Sequence, residues 1–198
     1  MNSERLHNFR LRKEKILHMA EQLLLDNQDD ITLSELAKEL DIAKGTIYKH
    51  FKSKNQLYLE LIILNERRLL ELSDQYQDNL KNYVSQFMLY NMLNAHRTIL
   101  FHSIEERLTQ TERQLKHQFA ELYAIREKRI LAIKDITAEY LKKLNSSMSI
   151  RDYLSYIWTV TYGASLLLNS THYQKSIGSR ERLIQIYIQQ ALMLPDQA

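Results

Sequence analysis

The stretch LSELAKELDIAKGTIYKHFK, residues 33–52, decides the fold. Leu33, Leu36, Ala37 and Leu40 recur at helical spacing and make one apolar stripe. Thr32 precedes the stripe and Glu35 follows three residues later, the pattern of a capping box. Asp41 and its neighbours break the pattern. Ile47 and Phe51, four apart, begin a second stripe, and Ile42 in the turn points the same way. Ala37 is small where two helices must cross closely, and Ile47 is its apolar partner. Between the inward positions stand Lys44, Gly45, Thr46, Tyr48, Lys49 and His50. All can donate hydrogen bonds by side chain or backbone amide, and none is acidic. The pattern predicts a helix-turn-helix, with a first helix that crosses a DNA backbone and a second that enters the major groove.

The segment IAKGTIYKHFKSKNQL resembles the recognition helix and the following helix start of the TetR family of transcriptional regulators. That family has Lys or an equivalent, then Gly or Ala, Thr, an aromatic, a His/Tyr-Phe pair, and a Ser-Lys pair opening the next helix. Here Lys44, Gly45, Thr46, Tyr48, His50-Phe51 and Ser53-Lys54 hold those places. The turn position is usually Gly and here is Asp41, which tolerates a left-handed backbone better than most residues. The resemblance covers roughly residues 11–61. Beyond that the chain matches the family in length and helical character only.

Composition agrees with a helical protein. Three Gly and one Pro interrupt 198 residues, so long helices are expected and sheets are not. With 44% hydrophobic residues the chain can bury a core, and with 26% charged residues it is expected to be soluble. Without Cys it has no disulfide framework, no thiol chemistry and no thiolate metal site. Residues 1–11 are polar and basic, unlike a secretory signal, and no apolar run approaches a membrane span. A cytoplasmic location is therefore expected. The net charge of +3 is small, but its distribution is uneven. Arg5, Arg10, Arg12, Lys13 and Lys15 crowd the start, and four lysines without an acid lie in residues 42–55. Residues 21–41 hold seven acids against Lys38. The two basic segments are expected to share one face.

The chain divides into residues 1–54, a DNA-binding domain, and residues 55–198, a larger helical domain for effector binding and dimerisation. A first helix is expected over residues 11–25, with Ile16, Met19, Ala20, Leu23 and Leu24 inward, followed by a polar break at residues 27–30. Ser53 is the N-cap candidate of a helix to about residue 73, long enough to bridge the domains. Further helices are expected near residues 80–93, 98–108, 111–144, 149–170 and 180–194, the last stopped by Pro195. Residues 172–179 read as a loop. In the helix over 149–170, Gly163 and Ala164 would admit a close neighbour. The fold class is all-α, with about nine helices, as the resemblance also implies.

Catalysis lacks a constellation. There is no His-Glu-x-x-His, no Gly-x-Ser-x-Gly and no Gly-rich phosphate loop. His102, Glu105 and Glu106 come nearest to a ligand cluster, but they read as a polar pair at a helix edge, and no metal or cofactor is expected. The second domain is rich in aromatics, which helical bundles bury without binding anything. The resemblance implies a ligand between its helices. Phe87, Asn91, Phe101, Tyr123, Trp158 and Tyr162 are the candidates on chemistry and helix position.

The expected protein is a dimeric, ligand-responsive repressor of a pseudo-palindromic double-stranded DNA operator. Thr32, Lys44, Gly45, Thr46, Tyr48, Lys49, His50 and Lys54 are its DNA-binding candidates, the small-molecule effector is of unknown identity, and the homodimer uses the two terminal helices. The alternative is an architectural or adaptor DNA-binding protein without an effector. A well-formed cavity in the second domain favours the first; a solid core there favours the second.

Overall fold

The computed structural model describes residues 3–26, 30–176 and 178–193. Part of the expected polar break, residues 27–29, and the expected stop at Leu194 and Pro195 lie outside them. Among the described residues there are ten α-helices, one 3₁₀ turn and no strand. In order these are α1 (Ser3–Asp26), α2 (Leu33–Glu39), α3 (Lys44–Tyr48), α4 (Lys54–Gln75) and α5 (Leu80–Leu93). Then follow α6 (Ala95–Thr111), α7 (Lys116–Lys143), α8 (Ile150–Asn169), α9 (Thr171–Gln174) and α10 (Arg180–Met193). The protein is all-α, as its apolar periodicity indicates.

Three elements differ from the sequence expectation. The first helix begins at Ser3 rather than near residue 11. The long helix begins at Lys116, after a 3₁₀ turn over Arg113–Leu115. The expected loop after α8 contains α9, a single turn closed by the Gln174 amide on the Ser170 carbonyl at 2.9 Å and by Gln174 Nε2 on the Leu168 carbonyl at 2.9 Å. One turn with no buried residue leaves no periodicity to read.

The chain forms two compact units, Met1–Leu64 with Ile104–Ala120, and Asn65–Ser103 with Glu121–Ala198. α4, α6 and α7 contribute residues to both. In the first unit α1 buries Ile16, Leu17, Ala20 and Leu24, and α2 buries Leu33, Leu36 and Ala37. Ile47, Phe51, Leu57, Leu59 and Leu61 are fully or almost fully buried in the same unit. α2 packs on both α1 and α3.

In the second unit α5, α8 and α10 pack on one another. α8 buries Tyr153, Ile157, Thr161, Ala164, Ser165 and Leu168 at spacings of three and four, the signature of one inward face. A Cβ at Gly163 would meet nothing within 4 Å, so the close approach falls to buried Ala164 alone. The hydroxyls of Tyr140 and Tyr153 donate to carbonyls of α10, at Leu192 (2.8 Å) and Ala191 (3.3 Å).

An ionic cluster sits within this unit. Glu66 of α4 is almost fully buried and accepts from Arg126 Nε (2.9 Å) and Arg129 Nε (2.7 Å). Arg129 also donates to the Tyr83 hydroxyl at 3.1 Å and lies over the Phe87 ring. Burial by itself would lower the Arg129 pKa, but Glu66 beside it reverses the direction and keeps the guanidinium charged. Removing the anion leaves the Arg129 guanidinium, whose side chain is only 15% exposed, without its carboxylate. Glu66→Ala is therefore expected to destabilise the protein by about 3 kcal/mol, and Glu66→Gln by less. Urea unfolding followed by circular dichroism checks this; an unchanged midpoint for Glu66→Ala would mean that solvent already neutralises the pair.

Candidate functional site

The site begins at the start of α2. The Glu35 amide donates to Thr32 Oγ1 (3.1 Å), and the Thr32 amide donates to Glu35 Oε2 (2.8 Å), completing the capping box. The bond from the Thr32 amide, with one from the Thr32 side chain, holds the Glu35 carboxyl below the usual range, so the cap stays charged at neutral pH.

The turn after α2 fixes where α3 goes. Leu40 caps α2, and Asp41 takes the left-handed conformation with φ 51°. The Asp41 amide donates to the Lys38 carbonyl (3.1 Å) and the Ile42 amide to the Ala37 carbonyl (3.0 Å). These two bonds make a Schellman motif, which satisfies the last carbonyls of α2 and turns the chain sharply.

α3 has only five residues, and its entry residue Ala43 offers no side-chain cap. The chain stays helix-like for a few residues more, since the Phe51 amide donates to the Ile47 carbonyl at 2.9 Å. Ile47 and Phe51 have no exposed surface. The opposite face carries Lys44, Gly45, Tyr48 and Lys49, all exposed, with Thr46 half-buried at its edge. Lys44 Nζ donates to Ser34 Oγ at 3.2 Å.

His50 is placed differently from its neighbours. Its ring stacks on Phe9 at 4.0 Å, and its Nδ1 is buried without a hydrogen-bond partner. Burial, and then the charges of Arg12 and Lys13, lower its pKa, so it is neutral at neutral pH. Phe9 gave no sequence signal because it lies in the extra turns of α1, in a polar and basic segment. Lys13, also on α1, pairs with Glu60 at 2.8 Å and stands over the Phe51 ring.

Ser53 caps α4 by accepting from the Gln56 amide at 3.1 Å. Lys54 Nζ grips the Asp30 carboxylate at 2.8 and 2.7 Å and lies over the Tyr58 ring. The Tyr58 hydroxyl donates to the same carboxylate and accepts from the Ile31 amide at 3.1 Å. Burial raises the Asp30 pKa, but the bonds from Lys54 and Tyr58 outweigh it and hold the carboxyl below its usual range. Thr32, Lys44, Gly45, Thr46, Tyr48, Lys49, His50 and Lys54 thus all lie in the first unit, all but His50 on or beside the exposed face and at the helix starts.

The second unit carries a cavity of about 590 Å³. α5 supplies Tyr83 and Phe87 to it, and α8 supplies Trp158. Ile130, Ile133, Ile150, Leu154 and Ile157 make it mainly apolar. Arg129, Lys134 and Arg151 line it as well. Of the six ligand candidates, Phe87 and Trp158 line the cavity. Tyr162 stacks on Trp158 at 6.0 Å and meets His102 edge-on at 4.7 Å. Asn91 is buried and engaged with the Phe87 carbonyl (2.8 Å) and the Thr98 hydroxyl (3.2 Å), while Phe101 is buried in the core. Tyr123 is exposed and does not line the cavity. The three cations escaped sequence reading. They sit at helical spacing with apolar neighbours (129, 130, 133, 134 on α7; 150, 151, 154, 158 on α8), but nothing local says that those two faces meet.

The first unit, with α2 and α3 joined by a tight turn over α1, is a helix-turn-helix domain. Residues 16–61 match the family described as "Bacterial regulatory proteins, tetR family". The chain carries a tetR-family domain at its amino end. Over 83 residues it is 35% identical to the HTH-type transcriptional regulator QacR of Staphylococcus aureus, covering 41% of this chain and 44% of that protein. Over 84 residues it is 33% identical to the HTH-type transcriptional regulator AcrR of Shigella flexneri, covering 42% of this chain and 35% of that protein. The match thus spans less than half the length of either relative.

The left-handed turn residue can be tested directly. Asp41→Val should destabilise the domain by about 1–2 kcal/mol, the cost of forcing a β-branched residue left-handed. Asp41→Gly should stay within about 0.5 kcal/mol of the parent, since easier geometry is offset by lost chain entropy. Thermal unfolding reads both; a Val variant as stable as the parent would show that the turn does not depend on this backbone conformation.

Proposed function

We propose that the protein is a dimeric, sequence-specific DNA-binding transcriptional regulator, a repressor that leaves its operator when a small molecule occupies the cavity of the second unit. The exposed, donor-rich and acid-free face of α3, inside a tetR-family domain, carries this reading. Both relatives bear the name of HTH-type transcriptional regulators, which supports it. Lys44, Thr46 and Lys49 reach base edges and nearby phosphates. Thr32, Tyr48 and Lys54 hold phosphates, helped by backbone amides at the starts of α2 and α4. A Cβ at Gly45 would meet nothing within 4 Å, so the protein's own packing does not call for glycine there. The absent side chain leaves room there for a DNA backbone to approach closely. His50 serves by packing under Phe9, not by contacting bases.

One helix-turn-helix contacts few base pairs, so two copies must bind together with recognition helices about 34–36 Å apart. α8 and α10 supply the interface. They leave Leu166, Ile186 and Met193 well exposed although each helix also buries an apolar face. A ligand that fits one arrangement of the second unit shifts the population of spacings, and α4, which has residues in both units, carries the shift. The cavity favours this reading over an effector-free adaptor. No helix among the described residues is long and apolar enough to cross a membrane; the reading places the protein in the cytoplasm with the DNA.

Two outcomes follow. With an operator selected from a random library, Lys54→Ala should weaken binding to all sequences and lower the salt slope by about one, whereas Thr46→Ala should relax preference at particular base pairs. Gel-shift titrations in which Lys44→Ala, Tyr48→Ala and Lys54→Ala bind like the parent would sink the DNA assignment. Leu166→Glu and Ile186→Glu should each weaken the dimer by roughly tenfold or more, because a charge enters an apolar seam. Sedimentation at micromolar concentration reads this, and a monomeric parent, or a dimer indifferent to both, removes the interface from α8 and α10.

A further inference from the structure

The cavity of the second unit has a sign as well as a size. Its volume of about 590 Å³ suits a drug-sized molecule. Its body is apolar and aromatic, with the Phe87 and Trp158 ring centroids 6.3 Å apart. Every ionised group lining it is a cation: Arg129, Lys134 and Arg151, with no carboxylate among the lining residues. Glu66, the acid nearest in the chemistry, is almost fully buried and held by two guanidiniums, Arg126 and Arg129. Lys134 and Arg151 are exposed and enter no ion pair among the described residues.

We propose that the ligand of this cavity is an organic anion: an apolar body, aromatic or aliphatic, bearing one carboxylate, sulfonate or similar acidic group. The body lies against Trp158, Leu154 and the isoleucines, where burial of apolar surface supplies most of the affinity. The acidic group meets Lys134 and Arg151. Apolar walls beside those cations strengthen the attraction over that in open water, and they give an amphipathic cation of the same body only repulsion. Burial pushes the Tyr83 hydroxyl up, so it stays protonated at neutral pH beside Arg129. This assignment rests on the reading of the cavity as an effector site and adds the chemical class of the effector. Charge complementarity selects a small anion as occupant over a second copy seated in the cavity itself, where its Arg151 would meet the same cations; the proposed dimer seam, at Leu166 and Ile186, lies outside the lining.

The full-length protein is titrated with 8-anilinonaphthalene-1-sulfonate and with N-phenyl-1-naphthylamine, which has the same ring system without the sulfonate. Trp158 is the only tryptophan, so energy transfer from it reports occupancy of this cavity. The anion should bind at least about tenfold more tightly than the neutral dye, the effect of one favourable charge contact. In the Lys134→Ala, Arg151→Ala double variant that preference should vanish while the affinity for the neutral dye stays the same; both positions are exposed, so the fold should survive. Equal affinities in the parent, a preference that persists in the double variant, or anion binding without energy transfer from Trp158 would each overturn the assignment. So would anion binding that fades with protein concentration as dimer accumulates in sedimentation, which would give the groove to a second copy. DNA binding is measured separately by gel shift. Failure there removes the regulator reading and leaves the dye result standing, and the converse outcome removes only the effector class.

Discussion

α3 cannot exist by itself. Five residues form little more than one turn, and helix nucleation is unfavourable without partners. Its entry residue has no capping side chain, so local chemistry contributes little. Ile47 and Phe51 hold it in place by losing all their exposed surface against the first unit. The exposed face with Lys44, Tyr48 and Lys49 is presented only as firmly as that apolar contact allows. The Schellman turn at Asp41 adds direction: it sets the angle at which the short helix meets α2.

What could be read from sequence was local. The Thr32–Glu35 box, the Ser53 cap and the stripes through Leu36 and Ile47 depend on residues three or four apart, and the structure has all of them. So does the left-handed Asp41, whose backbone need is encoded by its own side chain. Asn145 repeats that geometry after α7, with φ 51°, at the head of the segment Asn145-Ser146-Ser147. Features set by distant partners were not legible. The extra turns of α1 are polar in sequence, and their purpose emerges when Phe9 covers the ring of His50. The single turn of α9 has no stripe at all. Aromatic type pointed towards the second unit's cavity, but only packing separates Phe87 and Trp158, which line it, from Phe101, which is core. The cations of α7 and α8 look like ordinary surface residues until both helices are seen to line one cavity.

The second unit also shows how a buried charge is tolerated. Glu66 is far too costly to bury alone. Two guanidiniums three residues apart on α7 take one oxygen each, and Tyr83 and the face of Phe87 occupy what remains of Arg129. Such a cluster is specific about geometry: Arg126 and Arg129 meet Glu66 only in one rotation of α7 about its axis. The apolar seam of the same helix permits several small rotations; the ions select among them.

If Lys54 holds a phosphate as proposed, its grip on Asp30 bears on any encounter with nucleic acid. In the unbound protein a carboxylate already stands where the lysine would receive a phosphate. That carboxylate is anchored by Tyr58 and the Ile31 amide, and it stays ionised at neutral pH. An arriving polyanion must displace an intramolecular rival held at high effective concentration. Random and matched DNA meet the same rival, so each gains from Lys54 only what remains after the exchange. A matched site gains the rest of the α3 surface in the same event. On the proposed reading, the chain carries an internal stand-in for a phosphate, and the stand-in lowers what any polyanion gains from Lys54.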